Sequence, residues 1–210
     1  MIPLIFGEMA LVSDAPRAAS VRAIEATRLL RFPRDTLEKL ATRDANLGKE
    51  LGRFCQARMV ANLVRHSSIL AAVAPAERKA LMDRFETRTF AAGEQLVTHG
   101  QESAGLFLIA SGTVSVTGYE DEGDRVHITD LGPGDVVGEI SLVLRRPATA
   151  DVTAVHHTVA LELSSERFKE AIKEYPSLLA ELYELATTRE DETKSVVAQE
   201  TLDVEDIVLL

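Results

Sequence analysis

The sequence predicts an α+β protein, an antiparallel β jelly-roll barrel flanked by helices and preceded by a partial copy of the same unit. Three observations predict this class. Short apolar segments broken by glycines fill residues 89–137, with turn signals about every 8–12 residues. Segments with the apolar spacing of helices lie on both sides of that region. A Gly-Glu segment near the N terminus also recurs 131 residues later without a gap.

The recurring segment fixes the organisation of the chain. Residues 7–23, GEMALVSDAPRAASVRA, are identical to residues 138–154, GEISLVLRRPATADVTA, at eight of seventeen positions. The second copy follows the strand-rich region, whereas only six residues precede the glycine of the first. We therefore expect residues 1–66 to be the C-terminal half of a first domain. Residues 67–190 are expected to be a complete domain and 191–210 an acidic tail.

The remaining elements follow from local patterns. Alternating apolar residues predict strands, and Leu47, Leu51 and Phe54 have the spacing of a helix face. Proline is tolerated in a first helical turn, and serine is a good helix cap. In chain order the predictions are a short helix at 8–13, a strand pair at 19–32, helices at 35–43 and 46–66, a helix that begins at Pro75, the strands of 89–137, a strand at 153–163, a helix capped by Ser164 or Ser165, and an amphipathic helix at 176–190.

The composition excludes several classes of function. A formal net charge of −10 and an isoelectric point near 5.0 argue against a nucleic-acid-binding surface, which needs a basic patch. No apolar run approaches the roughly 20 residues of a membrane span. The opening MIPLIF is too short and uncharged for a secretory signal, and the single cysteine, Cys55, cannot form an internal disulfide. These features predict a cytoplasmic protein.

The Gly-Glu cassettes carry the chemistry that the sequence predicts. The first N–H groups of a helix lack internal partners and carry partial positive charge, which suits an anion. A carboxylate beside them suits a hydroxyl instead, because like charges repel. Arg17, ten residues after Gly7, has a planar guanidinium that fits phosphate oxygens. Anion donors beside a hydroxyl acceptor predict a site for a sugar phosphate.

GEMALVSDAPRAASVRA resembles the phosphate-binding cassette of the cyclic nucleotide-binding domain family. That family includes bacterial catabolite activator proteins and the regulatory subunits of cAMP-dependent protein kinase. The upstream segment FAAGEQLVTHGQESAGLFLIASGTVSV resembles the first strands of the same family. The resemblance implies a complete domain over residues 70–185 and the C-terminal half of another over 1–66.

The resemblance also assigns roles to residues of both cassettes. Glu8 and Glu139 are expected to accept the ribose 2′-hydroxyl, and the arginine of the motif stands at Arg17. In the second cassette Ala148 takes its place, a loss that should weaken phosphate binding about tenfold to a hundredfold. The candidate ligand residues are Gly138, Glu139, Ile140, Ser141, Ala148 and Thr149, with Arg146 as a substitute cation, and Gly7, Glu8, Ala10, Arg17 and Ala18 in the first cassette.

Two functions are compatible with these residues. The first is a non-enzymatic regulatory module that binds a cyclic nucleotide, cAMP in first place or cGMP, and signals by rearranging its helices. The second is a degenerate domain that binds no nucleotide and serves as a protein-interaction scaffold. The sequence predicts no catalytic residue, metal or cofactor, and no nucleic-acid or membrane partner. It predicts contact with a protein partner or further domains of a longer chain, and the helix at 46–66 is a candidate dimer interface.

Overall fold

The computed structural model describes residues 5–8, 20–120 and 123–208, without the side chains of Gln56 and 200–208. The predicted class is confirmed, since antiparallel strands are flanked by helices. The helices are α1 (Arg34–Arg43), α2 (Ala45–His66), α3 (Ser68–Ala71), α4 (Arg78–Met82), α5 (Glu139–Leu144), α6 (Ser165–Glu174) and α7 (Pro176–Val208). The strands are β1 (Glu86–Phe90), β2 (Gln95–Val97), β3 (Gly105–Ser111), β4 (Val114–Tyr119), β5 (Arg125–Leu131), β6 (Val136–Val137), β7 (Asp151–Ala154) and β8 (Thr158–Ser164).

The strands form two four-stranded antiparallel sheets. The order is β1-β8-β3-β6 in one sheet and β2-β7-β4-β5 in the other. The pairing of β3 with β8 places Leu106 opposite Leu163 and Leu108 opposite Leu161. Both strands are apolar along most of their length, as expected of strands that are covered on both faces.

Strand β3 divides its side chains between two cores. Leu106 and Leu108 pack among the helices, while Phe107 and Ile109 point between the two sheets, as the two-residue period of a strand requires. The inner core also contains Val97, Val137, Ala148 and Val152. This inner layer borders the cavity described below, so the packing of the sheets determines where that cavity lies.

The 131-residue offset continues through the helices. Helix α1 begins 131 residues before α6 and has the same length of ten residues. Helix α2 begins 131 residues before α7. We call residues 7–66 the first copy and residues 138–197 the second copy. The predicted helices at 35–43 and 46–66 are confirmed, as is the cap at Ser164, whose Oγ accepts the N–H of Arg167 at 3.4 Å. The domain boundaries at residues 66 and 190 stay predictions.

The predicted strand pair at 19–32 is wrong for the residues described, because residues 20–33 contain no strand. In the second copy the equivalent strands are β7, which is paired by β2 and β4, and β8, which is paired by β1 and β3; all four partners precede the cassette. A strand needs such partners for its backbone hydrogen bonds. Apolar alternation in the first copy therefore does not lead to a sheet. Most of the helix predicted at 8–13 lies outside the described residues.

Three further boundaries differ from the prediction. The strand expected at 153–163 is interrupted by bends at 155–157, which separate β7 from β8. The helix expected from Pro75 begins only at Arg78, after a turn. Helix α7 continues past residue 190 to Val208, through the segment predicted to be an acidic tail. Within the described residues no helix is both long and apolar enough to cross a membrane.

Candidate functional site

The second cassette begins with a glycine that no other residue can replace without strain. Gly138 has φ of 87°, in the left-handed region. A Cβ added there would lie 2.5 Å from the carbonyl oxygen of Gly105 and 2.7 Å from Oγ of Ser103. The close approach brings the start of α5 against the beginning of β3. Arg145, with φ of 54°, then ends α5 with a second left-handed residue.

Hydrogen bonds from the loop before β3 hold this turn in place. The N–H of Ser103 donates to Oγ of Ser141 at 3.1 Å, and Oγ of Ser103 donates to the carbonyl of Gly105 at 2.7 Å. The Ser141 hydroxyl is therefore used in the protein's own structure. The hydroxyl can still donate to a ligand, and the backbone N–H of Ser141 is the group that the cassette motif indicates.

A cavity of about 420 Å³ opens beside the cassette, between the inner face of the sheets and helix α7. This volume is within the usual range of small-molecule sites. Six of the predicted residues line the cavity: Gly138, Glu139, Ile140, Ser141, Ala148 and Thr149. Apolar residues of the strands form much of the remaining wall: Val97, Val116, Ile128, Leu131, Val137 and Val152. Helix α7 covers the cavity with Arg189, Glu192, Thr193 and Val196.

Glu139 is paired with an arginine, Arg189, that is not among the predicted site residues. The carboxylate is 3% exposed, and its Oε1 accepts from Nη1 of Arg189 at 2.9 Å. Burial raises the pKa of Glu139 above its ordinary value, and the Arg189 guanidinium acts in the opposite direction. A buried carboxylate that lines the cavity and already has a partner can exchange that partner for a ligand hydroxyl.

Arg189 fastens helix α7 to the cassette. Besides Glu139, its Nη1 donates to the carbonyl oxygen of Val136, and its Nη2 lies 3.9 Å from Oδ1 of Asp135. Asp135 immediately precedes β6, and the other two groups lie in β6 and at the start of α5. The position of α7 over the cavity is thus coupled to the residues that would contact a ligand.

The repeat contains a signal that identifies this arginine. Arg58 of α2 lies at the 131-residue offset from Arg189, and its Nε donates to Oε1 of Glu8 at 3.1 Å. Glu8 is buried, at 6% exposure, like Glu139. If the sequence alignment of the two copies is extended through α2 and α7, it aligns Arg58 with Arg189 without any structural information.

In the second cassette, Ala148 occupies the position of the motif arginine, and its backbone groups are hydrogen-bonded within the protein. Ala148 is buried, its N–H donates to the carbonyl of Gln101 at 2.8 Å, and its own carbonyl accepts from Gly100 at 2.9 Å. The neighbouring Thr149 presents a buried Oγ1 that has no hydrogen-bond partner among the residues described. The backbone is fixed here, and a polar group remains unsatisfied beside the cavity.

Arg146, the predicted substitute cation, lies elsewhere. Its guanidinium pairs with Glu190 of α7, whose other carboxylate oxygen contacts Nζ of Lys194 at 2.7 Å. These charges lower the pKa of Glu190, the hydrogen bond from Lys194 being the largest cause. Arg146 is absent from the described residues that line the cavity. Its pairing stabilises α7 from the outside.

The first cassette is described only in part. Gly7 has a left-handed φ of 83°, as Gly138 does, and the Glu8 carbonyl lies 3.8 Å from Sγ of buried Cys55. The predicted residues Ala10, Arg17 and Ala18 lie outside the described residues. Across residues 5–8, 20–120 and 123–208, no cluster of His, Cys, Asp and Glu is arranged to hold a metal ion.

Comparison with known proteins finds a matching family model and similar sequences. The family model for the cyclic nucleotide-binding domain matches residues 4–44 and 87–175. The cAMP-dependent protein kinase type II regulatory subunit of Drosophila melanogaster is 32% identical over 157 residues, which are 75% of this chain and 39% of that protein. This chain thus spans less than half the length of that relative.

Two solved structures have the same fold. The catabolite activator protein of Thermus thermophilus superposes with a TM-score of 0.55 at 28% identity, over 67% of this chain and 63% of that one. The regulatory subunit of a cAMP-independent protein kinase A from Trypanosoma cruzi, solved bound to guanosine, has a TM-score of 0.53 at 24% identity. That match covers 70% of this chain and 48% of that one.

Proposed function

The chain belongs to the cyclic nucleotide-binding domain family, and from this membership we propose that it is a non-enzymatic regulatory module whose cavity binds a ribose-containing ligand. The position of Glu139 is the observation that supports the proposal most directly. It is a buried carboxylate that lines a 420 Å³ cavity, at the position where the cassette motif places the ribose contact. Among such ligands cAMP is the one that the motif favours, and cGMP is the next.

Binding is proposed to act on helix α7. A ribose hydroxyl that donates to Glu139 competes with Arg189 for the same carboxylate, which loosens one tie between α7 and the cassette. A ligand that also touches Thr193 or Val196 changes the packing of this helix on the sheet. By linkage, any partner that binds α7 in one of the two arrangements gains or loses affinity when the ligand binds.

The partner is proposed to be a protein or another domain of a longer chain, because the fold places its helices on the outside. Helices α6 and α7 are the candidate contact surface, and α2 remains the candidate dimer interface. The relative from Drosophila melanogaster is named as a subunit of a kinase. A kinase-type partner is therefore the first to try in a binding assay.

Calorimetric titration tests the ribose contact. The chain is titrated with cAMP, cGMP, adenosine and guanosine, and the best ligand is then compared with its 2′-deoxy form. We expect Glu139→Gln and the deoxy ligand each to lose about tenfold to a hundredfold in affinity, the size of a charge-assisted hydrogen bond. Glu8→Gln, at the equivalent position of the first copy, is the matched control and should leave affinity unchanged. Equal affinity for ribose and deoxyribose forms would contradict the proposal.

A second function, a scaffold without ligand, is favoured by the buried Ala148 at the arginine position. Thermal melting separates the two. A ligand at a hundred times its dissociation constant adds about 2.7 kcal/mol of stability. If none of the four compounds at millimolar concentration raises the melting temperature, the scaffold function is supported.

A further inference from the structure

Building on the proposed ribose site, we infer that the cavity beside the second cassette binds an uncharged nucleoside more tightly than the corresponding cyclic nucleotide. The two ligands share a base and a ribose, and they differ in the phosphodiester anion. Three features of the cavity bear on that difference: the charges that line it, the side chains at 148 and 149, and the apolar wall.

Within the described part of the chain, the cavity offers no free countercharge to an anion. Arg189 is the one basic side chain among the described residues that line it. That guanidinium already lies 2.9 Å from Glu139 and 3.9 Å from Asp135. Glu192, on the exposed side of α7, adds a further negative charge to the lining. The lining is therefore acidic on balance.

Moving an anion out of water into such a cavity is unfavourable. Burial of a charge must be offset by an opposite charge with good geometry, or the desolvation cost remains. Arg146, the cation that the sequence offers beside the cassette, is held by Glu190 outside the cavity. To meet a phosphate, either arginine would have to leave a carboxylate partner. A nucleoside avoids this cost because its hydroxyls are neutral.

The residues at 148 and 149 suit a neutral group instead. Ala148 offers a small apolar surface where the cassette motif has a guanidinium. Oγ1 of Thr149 is buried beside it without a partner in the described chain, and a rotation of this side chain would let it donate to or accept from a ligand hydroxyl. An unsatisfied buried hydroxyl costs stability until it is paired, and a 5′- or 3′-hydroxyl of a nucleoside could pair with it.

Of the other polar groups, the backbone N–H groups at the start of α5 favour the anion, but by less than a guanidinium would. Glu139 repels a phosphate and accepts a hydroxyl. The backbone N–H groups at the start of α5 can donate to a hydroxyl oxygen as well as to a phosphate oxygen. The apolar wall, which includes Val116, Ile128 and Leu131, buries a base equally well in both ligands. The difference between the ligands is thus set by charge, and charge favours the nucleoside.

The first experiment compares matched pairs on the whole chain. Adenosine is titrated beside cAMP, and guanosine beside cGMP, by calorimetry at one ionic strength. We expect the nucleoside of the better pair to bind at least about tenfold more tightly than its cyclic nucleotide, since the uncompensated desolvation of the anion costs at least as much as one charge-assisted hydrogen bond contributes. A parent protein that binds a cyclic nucleotide more tightly than the matched nucleoside overturns the inference and leaves the proposed function standing.

The second experiment restores the cation. Ala148→Arg should raise affinity for the cyclic nucleotide by about tenfold to a hundredfold and should not raise affinity for the nucleoside. Ala148→Met adds similar length without charge, so it separates the effect of charge from that of bulk and should improve neither ligand. If Ala148→Arg leaves the preference for the nucleoside unchanged, the missing countercharge is not the cause and the inference fails.

A third variant leaves the volume of the side chain, and so of the cavity, nearly unchanged. Thr149→Val removes the unpartnered hydroxyl and should lower nucleoside affinity by about threefold to tenfold. An unchanged affinity for the nucleoside would contradict the role given to this hydroxyl. A parent protein that binds none of the four compounds overturns the proposed function together with this inference, a result distinct from each of those above.

Discussion

The two copies of the repeat share a helical frame, but the strand-walled cavity lies beside the second copy. In each copy a helix of ten residues is followed by a longer one, and an arginine of the longer helix pairs with the glutamate of the Gly-Glu turn. The cassette of the second copy lines a cavity walled by strands, whereas α2 of the first copy packs on the helix-facing side of β3. The glutamate–arginine pair therefore belongs to the frame and can exist without a complete binding site.

Exposure shows the same difference at single positions. Phe32 of the first copy is 62% exposed, and its counterpart Leu163 is fully buried. Leu30 is 88% exposed, and its counterpart Leu161 is 6% exposed. Sequence similarity therefore preserves the apolar character of these positions, while the neighbouring strands decide whether they are buried.

The largest expected effect tests this difference in burial. Leu163→Ala leaves a cavity in the helix-side core and should lower the free energy of unfolding by about 2–5 kcal/mol. Phe32→Ala, its counterpart, should change that free energy by about 0.5 kcal/mol or less, because the side chain is exposed. Urea-induced unfolding followed by circular dichroism measures both. Similar losses in the two variants would show that residues 20–33 are packed in solution.

The next effect concerns the two arginines. Arg189→Met leaves Glu139 buried without its charged partner, and we expect a loss of about 1–3 kcal/mol in the free energy of unfolding. Arg58→Met should cost about 1 kcal/mol or less, because 43% of the Arg58 side chain is exposed and water can replace part of the interaction. Hydrogen exchange should also become faster in α7 of the first variant. Equal losses would mean that the two pairs are equivalent.

The smallest expected effect is on the pH dependence of the free energy of unfolding. It compares Asp151 with Ser20, the residue at the same position of the first copy. Burial by itself raises the pKa of Asp151, but hydrogen bonds from the Tyr119 hydroxyl, the His99 N–H and Arg125 outweigh it and lower the pKa below its ordinary value of 3.8. The ionised carboxylate therefore stabilises the fold above that value, and this contribution is lost as the pH falls below it.

Asp151→Asn should accordingly lower the free energy of unfolding by about 1 kcal/mol near neutral pH, with a smaller difference from the parent in acid. Denaturation curves at several pH values between about 2 and 7 provide the comparison. Ser20→Asn, at an exposed position, should show no pH-dependent change. A constant difference between Asp151→Asn and the parent across this range would show that the charge of Asp151 contributes nothing.

Local features of the fold and the cassette could be predicted from the sequence. The Gly-Glu turn is a short motif, and the left-handed Gly138 followed by buried Glu139 depends on adjacent residues. The helices could be predicted because apolar spacing repeats within each of them. The pairing of Glu139 with Arg189 joins residues 50 positions apart, and only the alignment of the two copies contains a trace of it.

The remaining differences arise from long-range packing. Residues 20–33 have the apolar pattern of strands but no strand to pair with among the residues described. The segment after residue 190 is acidic, which predicts a tail, yet Val196 lines the cavity and Val197 lies close to Gly118 of β4. These two valines contact the cavity and the sheet, so this part of the helix is packed and does not form a free tail. Composition alone does not show which side of a helix is covered.

The length of α7 has a mechanical consequence. At 1.5 Å per residue, the part of this helix beyond Arg189 extends roughly 28 Å to Val208. If that part rotates as a rigid rod by about 10° around the arginine, its far end travels roughly 5 Å. A rotation of this size at the Arg189 contact would then reach a partner at a distance comparable to the width of a small domain.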